Sequence, residues 1–420
     1  MLGKRKRDSP SPDPVERFPE SDEPVNHPMI QPPIIPFLAP LPLKPGNFSS
    51  AFKCYSSDNL SSIHPQSSAS SQPSPCRRRT VRDLFDFGRV LGEGAQSVVY
   101  SVVEKKTGKT LAIKKIKNHR TKEHSWPAAD NFREVEILKD LESHPNVIKL
   151  VSVITEGSSS DLYLIFESFE ISLRRKIERG GRLKGTELLC CSEQLVSAVN
   201  FLHANGVLHR DLKTDNILVR GGSCDSSGLH LVIADFGLAK KPPKVLWSEC
   251  PMTGIVASLW YRAPELMLGA RHYSNAIDVW SLGCCLYEMV FGSVAFPGDS
   301  EIGTLFRMFK KLGTPKEVEL TGGMDVDEGE GSLVFSPCYA VSQRAETSYP
   351  QYTRPKVFSA NWPKWDKGVA LEALYERCPV ETNKSEWLSL ICGCLTFSVS
   401  QRLSAVECSE YIRFHLRGSF

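Results

Sequence analysis

The run Val207-Leu208-His209-Arg210-Asp211-Leu212-Lys213-Thr214-Asp215-Asn216-Ile217-Leu218 crowds acid, base and amide into one short loop between apolar flanks. In that order Asp211 is suited to accept a proton, Lys213 to meet a transferring phosphoryl group and Asn216 to ligate a metal. Nineteen residues beyond Asn216, the strand-like run 229–234 ends in Asp235-Phe236-Gly237. Asp235 suits Mg²⁺ bridging phosphate oxygens, and Gly237 lets the chain turn. Upstream, Leu91-Gly92-Glu93-Gly94-Ala95-Gln96-Ser97-Val98-Val99 sets two glycines between strand-like runs. Hairpin N–H groups there can approach phosphates, although a lone G-x-G pair also marks an ordinary tight turn. Lys114 follows fifteen residues after Val99, inside an apolar run begun by Ala112. Glu134, twenty residues further, falls on a helical pattern and can pair with that lysine, fixing a cation over a phosphate.

These groups need a scaffold, and the apolar periodicity outlines one. Residues 98–103 alternate, a Lys-Thr-Gly-Lys turn follows, and 111–113 resumes, which reads as a hairpin. Residues 131–141 carry Phe132, Val135, Ile137, Leu138 and Leu141 at helical spacing, and 161–166 reads as a strand. The stretch 85–168 is therefore expected to be a strand-rich lobe with one helix. Helical patterns over 187–204, 276–291, 301–312 and 386–396 make the remainder, 169–417, a mostly helical lobe. Residues 321–355, rich in glycine and acids, read as an exposed loop insertion. Residues 1–82 hold more than half of the 28 prolines together with serine runs, and are expected to be a disordered tail.

The bulk numbers narrow the class of partner. Of 420 residues 41% are hydrophobic and 24% charged, ordinary for a globular chain. A net charge of +3 is too balanced to imply nucleic acid as the main partner. No stretch approaches the roughly 18 apolar residues of a membrane span, and the basic N-terminus lacks an apolar secretory core. Thirteen cysteines, partly adjacent at 190–191 and 284–285, suit free buried thiols in a reducing compartment better than a disulfide framework. Lys4-Arg5-Lys6-Arg7 and Cys76-Arg77-Arg78-Arg79 read as import signals or as solvated tail charge, giving nucleus and/or cytoplasm as the expected location.

Ala263-Pro264-Glu265 closes the segment after Asp235, and the ordered set from about Phe85 to Phe414 resembles the eukaryotic protein kinases. Trp260-Tyr261-Arg262-Ala263-Pro264-Glu265, Asp278-Val279-Trp280-Ser281-Leu282-Gly283-Cys284 and Phe296-Pro297-Gly298-Asp299-Ser300-Glu301-Ile302 resemble the cyclin-dependent branch of the CMGC group. The resemblance implies a bilobal α+β fold over 83–417, with ATP and Mg²⁺ in the cleft. It implies transfer of the γ-phosphate to Ser or Thr hydroxyls of a protein substrate, Lys213 favouring these over Tyr. It also implies that the glycine loop, Leu91 to Val99, covers the phosphates. Val99, Ala112 and Leu218 would sandwich the adenine, Phe166 would be the gatekeeper, and Glu167 to Phe169 the hinge. His209, Phe236 and Leu138 become packing residues, Asp278 a backbone anchor, and Glu265–Arg402 a buried bridge. Thr253 takes the place of an activating phosphothreonine, with Arg133, Arg210 and Lys240 as its basic ligands.

Departures refine this expectation. Ser97 replaces the third glycine, and Ala95-Gln96 replace the Thr-Tyr pair that inhibitory phosphorylation targets, so that brake is missing. The stretch Pro127-Ala128-Ala129-Asp130-Asn131-Phe132-Arg133-Glu134 is one residue longer than the cyclin-binding signature and differs in its middle, which puts a cyclin-like partner in doubt. The resemblance therefore points toward a CDK-activating kinase of the single-chain fungal type, whose substrate is another kinase. Arg262 ordinarily supports a preference for proline after the phosphoacceptor, which such a kinase need not share. Two other readings stand beside an active protein kinase. A pseudokinase scaffold is disfavoured because the residues such proteins lose are present here. A small-molecule kinase is disfavoured by the Trp260–Glu265 segment.

Overall fold

The computed structural model describes residues 80–94, 97–116, 129–141, 143–155, 161–221, 228–241, 258–270, 273–316 and 362–417. The expected tail up to residue 79, Ala95, Gln96, Thr253 and the 321–355 insertion lie outside them. The first lobe is a five-stranded antiparallel sheet in the order β1-β2-β3-β5-β4. Its strands are β1 (Phe85–Glu93), β2 (Ser97–Glu104), β3 (Thr110–Ile116), β4 (Leu150–Thr155) and β5 (Leu162–Glu167), with helix α2 (Ala129–Asp140) inserted after β3.

Strand β5 shows why this sheet holds together. Its first five residues, Leu-Tyr-Leu-Ile-Phe, are all apolar, because both faces of the strand are covered there. Leu162, Leu164 and Phe166 join the main core with Val135 and Leu138 of α2. Tyr163 and Ile165 point the other way, into a second cluster with Val81, Phe85, Val102, Leu111, Ile113 and Ile154. Val81 belongs to a helical turn, α1 (Val81–Leu84), capped reciprocally by Thr80 and Asp83. The expected tail boundary at residue 82 is therefore too late: Val81, only 1% exposed, already closes the outer face of the sheet.

The second lobe is helical. It contains α3 (Leu173–Gly180), α4 (Gly185–Ala204), α5 (Pro264–Met267), α6 (Ala276–Phe291), α7 (Glu301–Leu312), α8 (Lys367–Arg377), α9 (Lys384–Cys394) and α10 (Ala405–Tyr411). A small sheet, β6 (Ile171–Ser172), β7 (Ile217–Gly221) and β8 (Leu229–Ile233), lies in the order β6-β7-β8. Helix α6 is buried on nearly all sides, the pattern of a central core helix. At Gly283 an added Cβ would stand 2.7 Å from the Cβ of Cys394, so glycine there lets α6 and α9 approach closely. Cys191, Cys284, Cys285, Cys394 and Cys408 are buried free thiols in this core. No described helix is long and apolar enough to cross a membrane. The sheet-rich and helix-rich halves make a bilobal α+β fold.

Candidate active site

The loop after α4 is held from behind by one carboxylate. Asp278, at the start of α6, accepts the backbone N–H groups of His209 at 2.8 Å and of Arg210 at 2.9 Å. Its third contact is His203 Nε2 at 3.2 Å. Burial alone would raise the Asp278 carboxyl, but the hydrogen bond and charge of His203, with His209 and the Arg210 N–H, hold it below the usual range. Arg210 is thereby kept at φ 68°, a left-handed conformation that a non-glycine residue adopts only when its surroundings impose it. His209 packs edge-on against Phe236, centroids 5.0 Å apart, and its Nε2 meets the Ala234 carbonyl at 3.1 Å. These contacts give His209 a packing role.

Asp211 then projects into a ring of donors. Lys213 Nζ donates to Oδ2 at 2.7 Å, Asn216 Nδ2 to the same oxygen at 3.0 Å, and the Ser258 N–H to Oδ1 at 3.2 Å. Lys213 also donates to the Ser258 hydroxyl at 3.0 Å. A carboxylate held this way is an oriented proton acceptor beside a cation.

A second cluster gathers around Lys114. Its ammonium lies 2.8 Å from Glu134 Oε1, 3.0 Å from Glu134 Oε2 and 2.8 Å from Asp235 Oδ1. Burial works against the lysine's charge, yet the two carboxylates outweigh it and hold the ammonium well above its ordinary range. The same lysine holds Asp235 below the usual carboxylate range despite burial. Asp235 sits at φ 61°. A Cβ on Gly237 would lie 3.4 Å from Asp235 Oδ1 and 3.6 Å from Lys114 Nζ, in ordinary van der Waals contact with the ion pair. Asn216 and Asp235 come together because Ala234 N–H donates to the Asn216 carbonyl at 2.8 Å.

The remaining expected residues fall as follows. Val99 pairs with Lys114 across β2 and β3, and Ala112 with Phe166 across β3 and β5. Val99, Ala112 and Leu218 are half-buried. Leu91, Gly92 and Glu93 end β1, Gly94 follows it, and Ser97 and Val98 begin β2. Lys240 pairs with Leu208, which brings it beside the Arg210 loop, while Arg133 is exposed on α2. Local spacing does not mark Ser258. Nor does it mark Glu288, buried in α6, where Arg174 (2.8 Å), Thr214 (3.0 Å) and Tyr261 (2.6 Å) converge. Its signal was a lone second acid inside an otherwise apolar helix. Burial and the neighbouring Glu288 push the Tyr261 hydroxyl far above its ordinary range, so it acts here as a donor.

The donor set fits Mg²⁺. Among the described residues no group of three or more His, Cys, Asp or Glu gathers to hold a metal ion. Two oxygen ligands, from Asn216 and Asp235, suit an ion that takes its other positions from phosphate and water. Asn216 spends its amide N–H on the Asp211 carbonyl and carboxylate, which leaves its amide oxygen as the ligating atom.

Residues 85–412 match the family model described as the protein kinase domain. The chain belongs to the protein kinase family. It is 44% identical over 246 residues to "Cell division control protein 2 homolog 3" of Trypanosoma brucei brucei, covering 57% of this chain and 74% of that protein. It is 35% identical over 247 residues to "Mitogen-activated protein kinase 15" of Caenorhabditis elegans, covering 57% of this chain and 50% of that protein. The protein of the same name in Xenopus laevis is 30% identical over 343 residues, covering 80% of this chain and 51% of that protein. The kinase thus spans about half the length of two of these three relatives. The domain is that of a serine/threonine protein kinase with cyclin-dependent and mitogen-activated kinase relatives, and such a domain implies use of ATP, typically with Mg²⁺.

Proposed function

We propose that this chain is an active protein kinase that passes the γ-phosphate of ATP to Ser or Thr hydroxyls of other proteins, activation loops of other kinases among them, in cell-cycle or transcription control. The convergence of Lys213, Asn216 and Ser258 on Asp211 carries the reading. Asp211 orients the incoming hydroxyl and accepts its proton. Lys213 and Lys114 neutralise charge on the phosphates, so the chain works by positioning and charge stabilisation. Asn216 and Asp235 would hold Mg²⁺, which would offset negative charge on the phosphates. Val99, Ala112 and Leu218 wall the adenine, Phe166 limits the pocket's depth, and backbone groups of Glu167 to Phe169 meet the adenine edge.

The finer assignment rests on the sequence departures. Ala95 and Gln96 cannot carry the inhibitory phosphates, and the helix sequence up to Glu134 departs from the cyclin signature. Both favour an activating kinase working without a standard cyclin. Phosphate on Thr253 would meet Arg133, Arg210 and Lys240 through charge-assisted hydrogen bonds and order its loop. The basic clusters at 4–7 and 76–79 favour residence in the nucleus as well as the cytoplasm.

The test is phosphate transfer to a kinase activation-loop peptide, with and without an added cyclin. Asp211→Asn is expected to lower turnover about 10²- to 10⁴-fold while ATP still binds. Undiminished turnover in that variant refutes the catalytic assignment. Nucleotide binding without any transfer by the unaltered chain supports a scaffold instead. Transfer to generic proteins but not to activation-loop peptides removes the narrower substrate assignment.

A further inference from the structure

The short hinge between the lobes is gripped from behind by the β7–β8 hairpin. Arg220 on β7 and His230 on β8 are direct cross-strand partners. The guanidinium of Arg220 lies 4.7 Å from the centroid of the Phe169 ring. Phe169 and His230 stack at 6.0 Å with an interplanar angle of 26°. Arg220 Nη1 also reaches Glu167 Oε2 at 3.5 Å, and Gly221 N–H donates to Glu170 Oε1 at 3.3 Å. Three residues of one short segment, 167, 169 and 170, thus each meet the same hairpin. Burial and the neighbouring Arg220 cation both lower the His230 imidazole, which keeps a second positive charge off the platform.

We propose that Arg220 is a positioning residue for nucleotide binding: it clamps the Phe169 ring and the Glu167 carboxylate, and so fixes the hinge backbone in the conformation that meets adenine. The proposal rests on the ATP-site reading above. Side chains alternate along a strand, so Leu218 and Arg220 share a face of β7. The surface assigned to adenine therefore continues, two residues on, into the clamp. A planar guanidinium suits both tasks, stacking on the ring while its N–H edge faces the carboxylate. A hinge released from the clamp samples more conformations, and nucleotide must then select the competent one, which weakens apparent affinity without altering the transfer step.

The experiment compares the unaltered full chain with Arg220→Ala and Arg220→Lys. It measures KM for ATP, kcat on a protein substrate, the dissociation constant of a fluorescent ADP analogue with Mg²⁺, and the melting temperature. A modest cation–π contact and a half-exposed ion pair together predict about a five- to tenfold rise in KM and in the analogue's dissociation constant for Arg220→Ala. kcat should stay within about twofold. Arg220→Lys keeps the charge and loses the planar stack, and should fall between the two. A lower melting temperature with unchanged KM and analogue affinity would show a purely structural residue and overturn the proposal. Failure of the unaltered chain to bind the analogue would overturn the ATP-site reading itself, and the clamp with it.

Discussion

The ammonium of Lys114 and the carboxylate of Asp235, 121 residues apart in sequence, meet at 2.8 Å while Glu134 holds the same ammonium from the other side. One buried cation therefore ties β3, α2 and the segment after β8 together. Lys114→Met should lower phosphate transfer by about 10²- to 10³-fold, the scale of losing one fixed charge partner in a water-poor site. It should also change the acid limb of stability. Asp235 is depressed in the folded chain, so it stabilises the fold above its unfolded value of 3.8 and loses that contribution as pH falls through its lower folded value. Without Lys114 this dependence should shrink. A variant with full turnover, or with an unchanged acid-unfolding curve, would contradict the arrangement.

Asp278 acts at one remove from the chemistry, through backbone. Asp278→Ala removes acceptors from two buried N–H groups and frees Arg210 from its left-handed conformation. A misplaced Asp211 should reduce kcat about 10- to 100-fold while nucleotide affinity changes little. Turnover measured beside analogue binding separates the two effects. Equal loss of both would mean that the variant had disrupted the cleft as a whole.

Much of this site could be read from local spacing, because its parts are local. The acid, lysine and amide at 211, 213 and 216 share one loop, and helix bounds such as 276–291 and 301–312 follow from uninterrupted apolar periodicity. Contacts that depend on topology were not legible. Ser258 reaches Asp211 only because the chain returns past the loop, and nothing in its own neighbours marks it. Glu288 looks like a surface acid until α6 is known to be central. Val81 reads as part of the tail because one turn of helix is too short to show a period; its burial depends on a sheet face formed by distant strands. The hinge clamp is of the same kind, pairing residue 169 with residues 220 and 230.

Arg402 and Glu265 form a two-pronged bridge at 2.7 and 2.9 Å, and both are nearly free of solvent. Arg402 also donates to the carbonyls of Thr396 and Ala276, so its donors are well used. Removing one partner strands a buried charge. Glu265→Ala is expected to cost about 3–5 kcal/mol, whereas removing both charges should cost less than the sum of the single changes. Urea unfolding of both single variants and the double variant measures the coupling. Strict additivity would mean that the bridge carries no pairwise energy.

Lys311 on α7 faces aromatic surface rather than a carboxylate. Its Nζ donates to the Tyr287 hydroxyl at 2.8 Å, lies 4.2 Å from that ring's centroid and 5.8 Å from the centroid of Phe296. The Cys284 thiol, Arg307 and Arg377 are the other titratable groups around it, and both arginines repel its charge. Burial is the larger cause, and together they bring the ammonium down from 10.5 to about 8. A lysine lowered by folding opposes the fold wherever it is charged. Between about pH 8 and 10.5 the unfolded chain binds a proton that the folded chain does not, so stability should rise with pH across that window. Lys311→Met keeps the apolar stem and permits a sulfur–aromatic contact, so at pH 7 it should raise the melting temperature by about 2–4 °C. The same variant should lose the rise in stability between pH 8 and 10.5. Thermal melts across that range decide the point: a lower melting temperature at pH 7 would mean that attraction between the ammonium and the Tyr287 face outweighs its desolvation.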